Sequence, residues 1–228
     1  GKDGILWKLD REKGNFIDLK ETINQNIYKK VDRNKGKVVY RDDILLSKID
    51  TPFSACPGIY GGHNWQAVSY DPESYLMVIP LHQLCADMIG RYVERKEGGG
   101  GYGANSRNYK MDNTNGNVGK LVTIDIKNME KIWQYEQNAM FLTGSLSTAG
   151  GLTFIGDLDR KFMAFDTKTG ILLWDTTLGS ALHGFPVTYA VNGKQYIAVQ
   201  TGMGVFRAMT SVISPDIYQP EGGNTIYV

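Results

Sequence analysis

Few side chains in this sequence have the type and spacing for acid–base, nucleophilic or metal chemistry. Asp157 and Asp159, in GDLDRK, look like paired carboxylates of the kind used for general acid–base work. They fall between two strand patterns, however, and read as turn residues. His63, His82 and His183 are far apart, and no serine sits in a nucleophile elbow, so nothing supports a hydrolase. Cys56 and Cys85 are the only cysteines. Spacing alone leaves them as free thiols or one disulfide. His82 with Cys85 offers too few ligands for a closed metal site. GGGGYG, residues 98–103, satisfies G-x-G-x-x-G, but neither a strand before it nor a helix after it is present. It reads as a loop.

The elements that must position any site are strands. Glycine (27 residues) and tyrosine (13) are abundant, which fits an all-β chain with many turns. A formal net charge of +1 gives no sign of nucleic acid or an acidic membrane surface as partner. No run of 18 apolar residues exists, so no transmembrane helix is expected. Strand patterns fall at 4–10, 26–32, 37–41, 65–70, 76–80, 119–125, 130–135, 152–156, 161–166, 171–175, 186–191 and 195–200. Asn192-Gly193 between the last two is a type I′ hairpin signal. Residues 81–118 are rich in glycine and asparagine and read as a loop-rich excursion. Residues 4–7 and 224–228 are strand patterns already running at either end, so the chain reads as a piece of a longer protein.

The strand patterns repeat. Asp166, Gly170 and Trp174 are spaced by four, and Asp125 and Trp133 keep the same eight-residue separation with Met129 in the glycine position. Asp10 and Gly14 keep the Asp-to-Gly spacing without a Trp. Asp125 and Asp166 are 41 residues apart. A period near 40 built of short strands predicts a β-propeller with blades of four antiparallel strands. In this reading the aspartate bonds backbone amides in its turn, the glycine closes it, and the tryptophan returns to pack on the neighbouring blade.

The segment TAGGLTFIGDLDRKFMAFDTKTGILLW resembles the tryptophan-docking repeat of the PQQ-dependent alcohol dehydrogenases, the quinoprotein propellers. GKDGILWKLDREKGNF, CPGIYGGHNWQAVSYDPESYLMVIP and HGFPVTYAVNGKQYIAVQTGMG resemble further stretches of that family, in the family's order. The resemblance implies that residues 1–228 are a partial propeller, the C-terminal part of an eight-bladed ring. It implies pyrroloquinoline quinone (PQQ) as cofactor, with a calcium or lanthanide ion. The implied reaction is alcohol to aldehyde, with electrons passing to a cytochrome c in the periplasm. Lys2 matches the family's basic residue at the quinone oxygens, and Asn64 and Trp65 match its Asn-Trp pair at the cofactor. Cys56 and Cys85 match a disulfide pair.

The family's catalytic aspartate and metal ligands match nothing here and are expected upstream of Gly1. No catalytic residue is therefore assigned, and the fragment alone is expected to be inactive. Phe141-Leu142-Thr143-Gly144 stands where the family often has Trp-Gly-Gly, and Val205 replaces a glycine of its Gly-x-Gly-Gly. Both departures leave the substrate pocket open. Two alternatives remain: a non-enzymatic propeller scaffold of the same repeats, and a membrane-bound quinoprotein glucose dehydrogenase.

Overall fold

The computed structural model describes residues 1–99, 103–204 and 207–228. The glycine-rich pattern at 98–103 and the departure at Val205 thus lie wholly or partly outside the described residues. The strands are β1 (Ile5–Leu9), β2 (Phe16–Glu21), β3 (Tyr28–Asp32), β4 (Lys37–Tyr40), β5 (Pro52–Ala55), β6 (Ser69–Asp71), β7 (Leu76–His82), β8 (Leu84–Gly90) and β9 (Ala104–Lys110). They continue as β10 (Gly119–Asp125), β11 (Glu130–Gln137), β12 (Leu146–Ser147), β13 (Leu152–Gly156), β14 (Lys161–Asp166), β15 (Leu172–Thr177), β16 (Val187–Val191), β17 (Lys194–Thr201) and β18 (Thr225–Tyr227). Two short helices, α1 (Asp42–Leu45) and α2 (Arg207–Ile213), lie in connections. Among the described residues no helix is long and apolar enough to cross a membrane.

Two compact units form. The first comprises residues 1–64 and 83–114. It holds the hairpins β1-β2 and β3-β4 and the antiparallel sheet β5-β8-β9. Within residues 81–118, expected to be a loop-rich excursion, lie the strands β8 and β9. Leu84, Cys85 and Ala86 are buried, and β9 supplies the backbone partners for all of β8. An apolar run of this kind needs paired backbone to be buried, and β9 meets that need with a polar, asparagine-containing strand.

The second unit, residues 65–82 and 115–228, holds two four-stranded antiparallel sheets, β6-β7-β10-β11 and β12-β13-β14-β15, and the three-stranded sheet β16-β17-β18. The four-stranded sheets are the propeller blades that the 41-residue period predicts. Pro80 is tolerated inside β7 because β6 pairs only as far as Val78, leaving a neighbour on one side at Pro80. Val78, Leu121, Trp133, Phe141, Ile155, Met163 and Phe165 form one core cluster from both four-stranded sheets.

The spacing of Asp, Gly and Trp has a geometric cause. The Asp166 carboxylate accepts the N–H groups of Lys168 (3.0 Å) and Thr169 (2.8 Å). Gly170 follows at φ 73°, a left-handed conformation natural to glycine, and its N–H returns to the Asp166 carbonyl at 2.9 Å. A register shift between Ala164 and Phe165 then sets Trp174 opposite Ala164. The same shift between Thr123 and Ile124 sets Trp133 opposite Thr123. In β1-β2 the shift recurs between Lys8 and Leu9, and Asp18 takes the tryptophan position. Met129 stands at the glycine position with φ 59°, and Tyr75, four residues after Asp71, does so with φ 61°.

Trp133 performs the packing expected of such a residue. Its indole N–H donates to the Thr167 carbonyl at 2.9 Å, and its ring lies where a Cβ on Gly170 would be, 2.5 Å away. Beside it, Ser145, Ser69, Ser147, Thr153 and Thr167 form a continuous chain of hydroxyl hydrogen bonds, 2.7 to 3.0 Å long, from one blade to the next. Trp174 meets Phe162 edge-on and remains half exposed.

Candidate cofactor site

Lys2 lies in the turn that leads into β1. Its side chain is exposed, and its ammonium donates to the Ile59 carbonyl at 3.2 Å. Its backbone carbonyl accepts the Gly62 N–H at 2.9 Å. Gly61, at φ 72°, comes so close that a Cβ there would stand 2.8 Å from the Lys2 Cα. The first unit therefore brings Lys2 against the GGHN loop that carries Asn64. Asn64 is half-buried at the end of that loop.

The loop is held at its start as well. The sulfurs of Cys56 and Cys85 are bonded, and the Gly58 N–H donates to the Leu84 carbonyl at 2.8 Å. Cys85 is thus committed to the disulfide and is no metal ligand with His82. His82 is buried in the second unit, its Nε2 3.2 Å from the Phe141 carbonyl. Among the described residues no three His, Cys, Asp or Glu side chains gather as a metal site.

Trp65 opens the second unit. It is 40% exposed and lines an open cleft of about 460 Å³ with His183, Gly184, Phe185, Gln200, Thr201 and Gly202. Its ring meets the His183 imidazole edge-on, 6.3 Å between centroids. Burial lowers the His183 pKa below its ordinary value, so the ring is neutral at pH 7. Among the residues lining this cleft, aromatic rings stand beside an uncharged amide. That suits a small or flat polar ligand better than an ion.

Asp157 is a structural carboxylate in the turn between β13 and β14. It accepts the Lys161 N–H at 2.9 Å and the Gln137 amide at 2.8 Å. Burial pushes its pKa up to about 6, against the pull of those bonds. Sequence reasoning did not single out His183 as a neighbour of Trp65 or Asp3 as a neighbour of Lys2.

The four-stranded antiparallel blades are those of a β-propeller. Residues 102–197 match the family model for the glucose/ethanol/alcohol dehydrogenase β-propeller domain. The chain is 31% identical, over 89% of its length, to the dehydrogenase subunit of the quinone alcohol dehydrogenase of Acetobacter aceti. It is 31% identical, over 97% of its length, to subunit 1 of the cytochrome c methanol dehydrogenase of Paracoccus denitrificans. It spans only 29% and 36% of those two proteins. A solved europium-containing methanol dehydrogenase matches 95% of the chain with a TM-score of 0.82 at 27% identity, over 38% of its own length. In sequence and fold together, the chain is similar to one part of the PQQ-dependent alcohol and methanol dehydrogenases.

Proposed function

We propose that this chain is part of a PQQ-dependent dehydrogenase that oxidises alcohols to aldehydes in the periplasm and passes electrons to a cytochrome c. The observation that carries the reading is the clamp of Lys2 against the loop bearing Asn64. The donor set fits the group. An exposed ammonium, which among the described residues donates to the Ile59 carbonyl, and a carboxamide both suit an anionic, carbonyl-rich quinone. When bound, the quinone would accept the two electrons taken from the alcohol.

Lys2 would place positive charge where negative charge develops on the quinone oxygens. Asn64 would bond the cofactor's polar edge. The resemblance assigns Trp65 to the same cofactor, as an aromatic surface. A calcium or lanthanide ion would be held by residues outside this chain, together with the catalytic base.

The test uses the full-length protein with PQQ and calcium or a lanthanide, following dye reduction with short alcohols. Lys2→Ala and Asn64→Ala should each lower cofactor-dependent activity by about tenfold or more. An absence of PQQ binding with any of these ions would leave a propeller scaffold as the better reading.

A further inference from the structure

We propose that Asp3 is the positioning residue for Lys2: its carboxylate, anchored on Trp7 and Tyr28, fixes the turn from which the Lys2 ammonium meets the quinone. The inference rests on the cofactor reading above and names a residue that reading does not use.

The Asp3 carboxylate is 16% exposed and takes three donors from the first unit. Oδ1 accepts the Ile5 N–H at 3.1 Å. Oδ2 accepts the Trp7 indole N–H and the Tyr28 hydroxyl, each at 3.2 Å. These donors sit on β1 and β3, so one side chain ties the turn to two separate hairpins. The Gly4 N–H closes the turn on the Gly1 carbonyl at 3.1 Å. On the other side of Lys2 the Gly62 N–H holds its carbonyl.

The Lys2 backbone is thus fixed between an internal carboxylate and a glycine loop. This matters because a lysine ammonium rides on a flexible four-carbon stem, and only its backbone can be localised by the fold. Tyr28 is suited to its part. Its phenol is raised above the ordinary range by burial first, then by Tyr40 and Asp3, so it stays a proton donor through neutral and alkaline pH. Tyr40 packs edge-on against it at 4.9 Å. With its oxygens occupied by donors from its own fold, Asp3 is a support and not a base.

The test is PQQ affinity in the full-length protein with calcium, measured by equilibrium dialysis. The variants are Lys2→Ala, Asp3→Ala, Asp3→Asn, Tyr28→Phe and the double variant Lys2→Ala/Asp3→Ala. Asp3→Ala should weaken PQQ binding by about tenfold, in the range typical of supporting partners. Asp3→Asn should recover part of that loss by keeping one acceptor oxygen. Tyr28→Phe keeps the ring packing and should weaken binding by less. In the Lys2→Ala background Asp3→Ala should add nothing, because there is no ammonium left to place. Wild-type affinity in Asp3→Ala and Tyr28→Phe, or a loss that adds in full to that of Lys2→Ala, overturns the inference while leaving the cofactor reading intact. Wild-type affinity in Lys2→Ala overturns the cofactor reading as well.

Discussion

Asp157 gives the second unit a built-in response to pH. Its folded pKa is pushed up to about 6 from an ordinary 3.8 by burial. A carboxyl raised on folding contributes its stability below the unfolded value and loses it as pH rises through the folded one. Between pH 4 and pH 7 wild type should therefore lose about 2 kcal/mol from this group. Asp157→Asn should flatten that fall, read as urea midpoints across the window; an unchanged slope would assign the effect elsewhere. Cys85 is the second residue-scale test. It closes a loop of 29 residues with Cys56, and Cys85→Ser should cost about 3–4 kcal/mol on chain-entropy grounds. The loss should match that of wild type in reductant. Of the site residues, Lys2, Asn64 and the two cysteines were legible only through the family's motifs. Nothing in composition marks an exposed lysine before a strand. Asp3 was invisible for a different reason: its partners Trp7 and Tyr28 are brought to it by two hairpins, which spacing does not reveal.

At the scale of elements, the turns carry the repeat. Gly170 should be the most sensitive of them. Gly170→Ala asks alanine to hold φ 73° and drives a Cβ into the Trp133 ring, so a loss of about 2–3 kcal/mol is expected in thermal unfolding. Trp133→Phe removes the bond to Thr167 and should cost about 1 kcal/mol. The two changes meet at one contact and should not add. The strands of the later half were readable because their alternation is dense and their turns carry Asn-Gly or Asp-x-x-x-Gly. That the turns at Asp32 and Asp71 belong to the repeat went unnoticed, although Asp32 and Gly36 keep the spacing and Gly36 has φ 62°. Tyr75 hides the pattern at Asp71, because a tyrosine gives no sign that it will adopt a left-handed backbone. β8 and β9 were missed because their pairing, with β5, joins segments far apart in the chain.

At the scale of the whole molecule, the second unit leaves apolar strand surface uncovered. Leu173 and Trp174 on β15 and Val187, Tyr189 and Val191 on β16 are all exposed. Residues 1–228 expressed alone should self-associate, eluting above monomer size in gel filtration, and should show no dehydrogenase activity. Clean monomeric behaviour would mean that this surface is better solvated than its composition implies. The two units also differ from beads on a string. Leu76 on β7 pairs with Asp125 on β10, and the chain between them supplies β8 and β9 to the first unit. On the ribosome the order of completion is therefore nested. The second unit is begun, the first is finished, and only then does β10 emerge to close the blade that β6 and β7 started. Until it does, β7 must wait as an apolar hairpin strand with one edge unclaimed, the stage of synthesis at which a chaperone would have most to do.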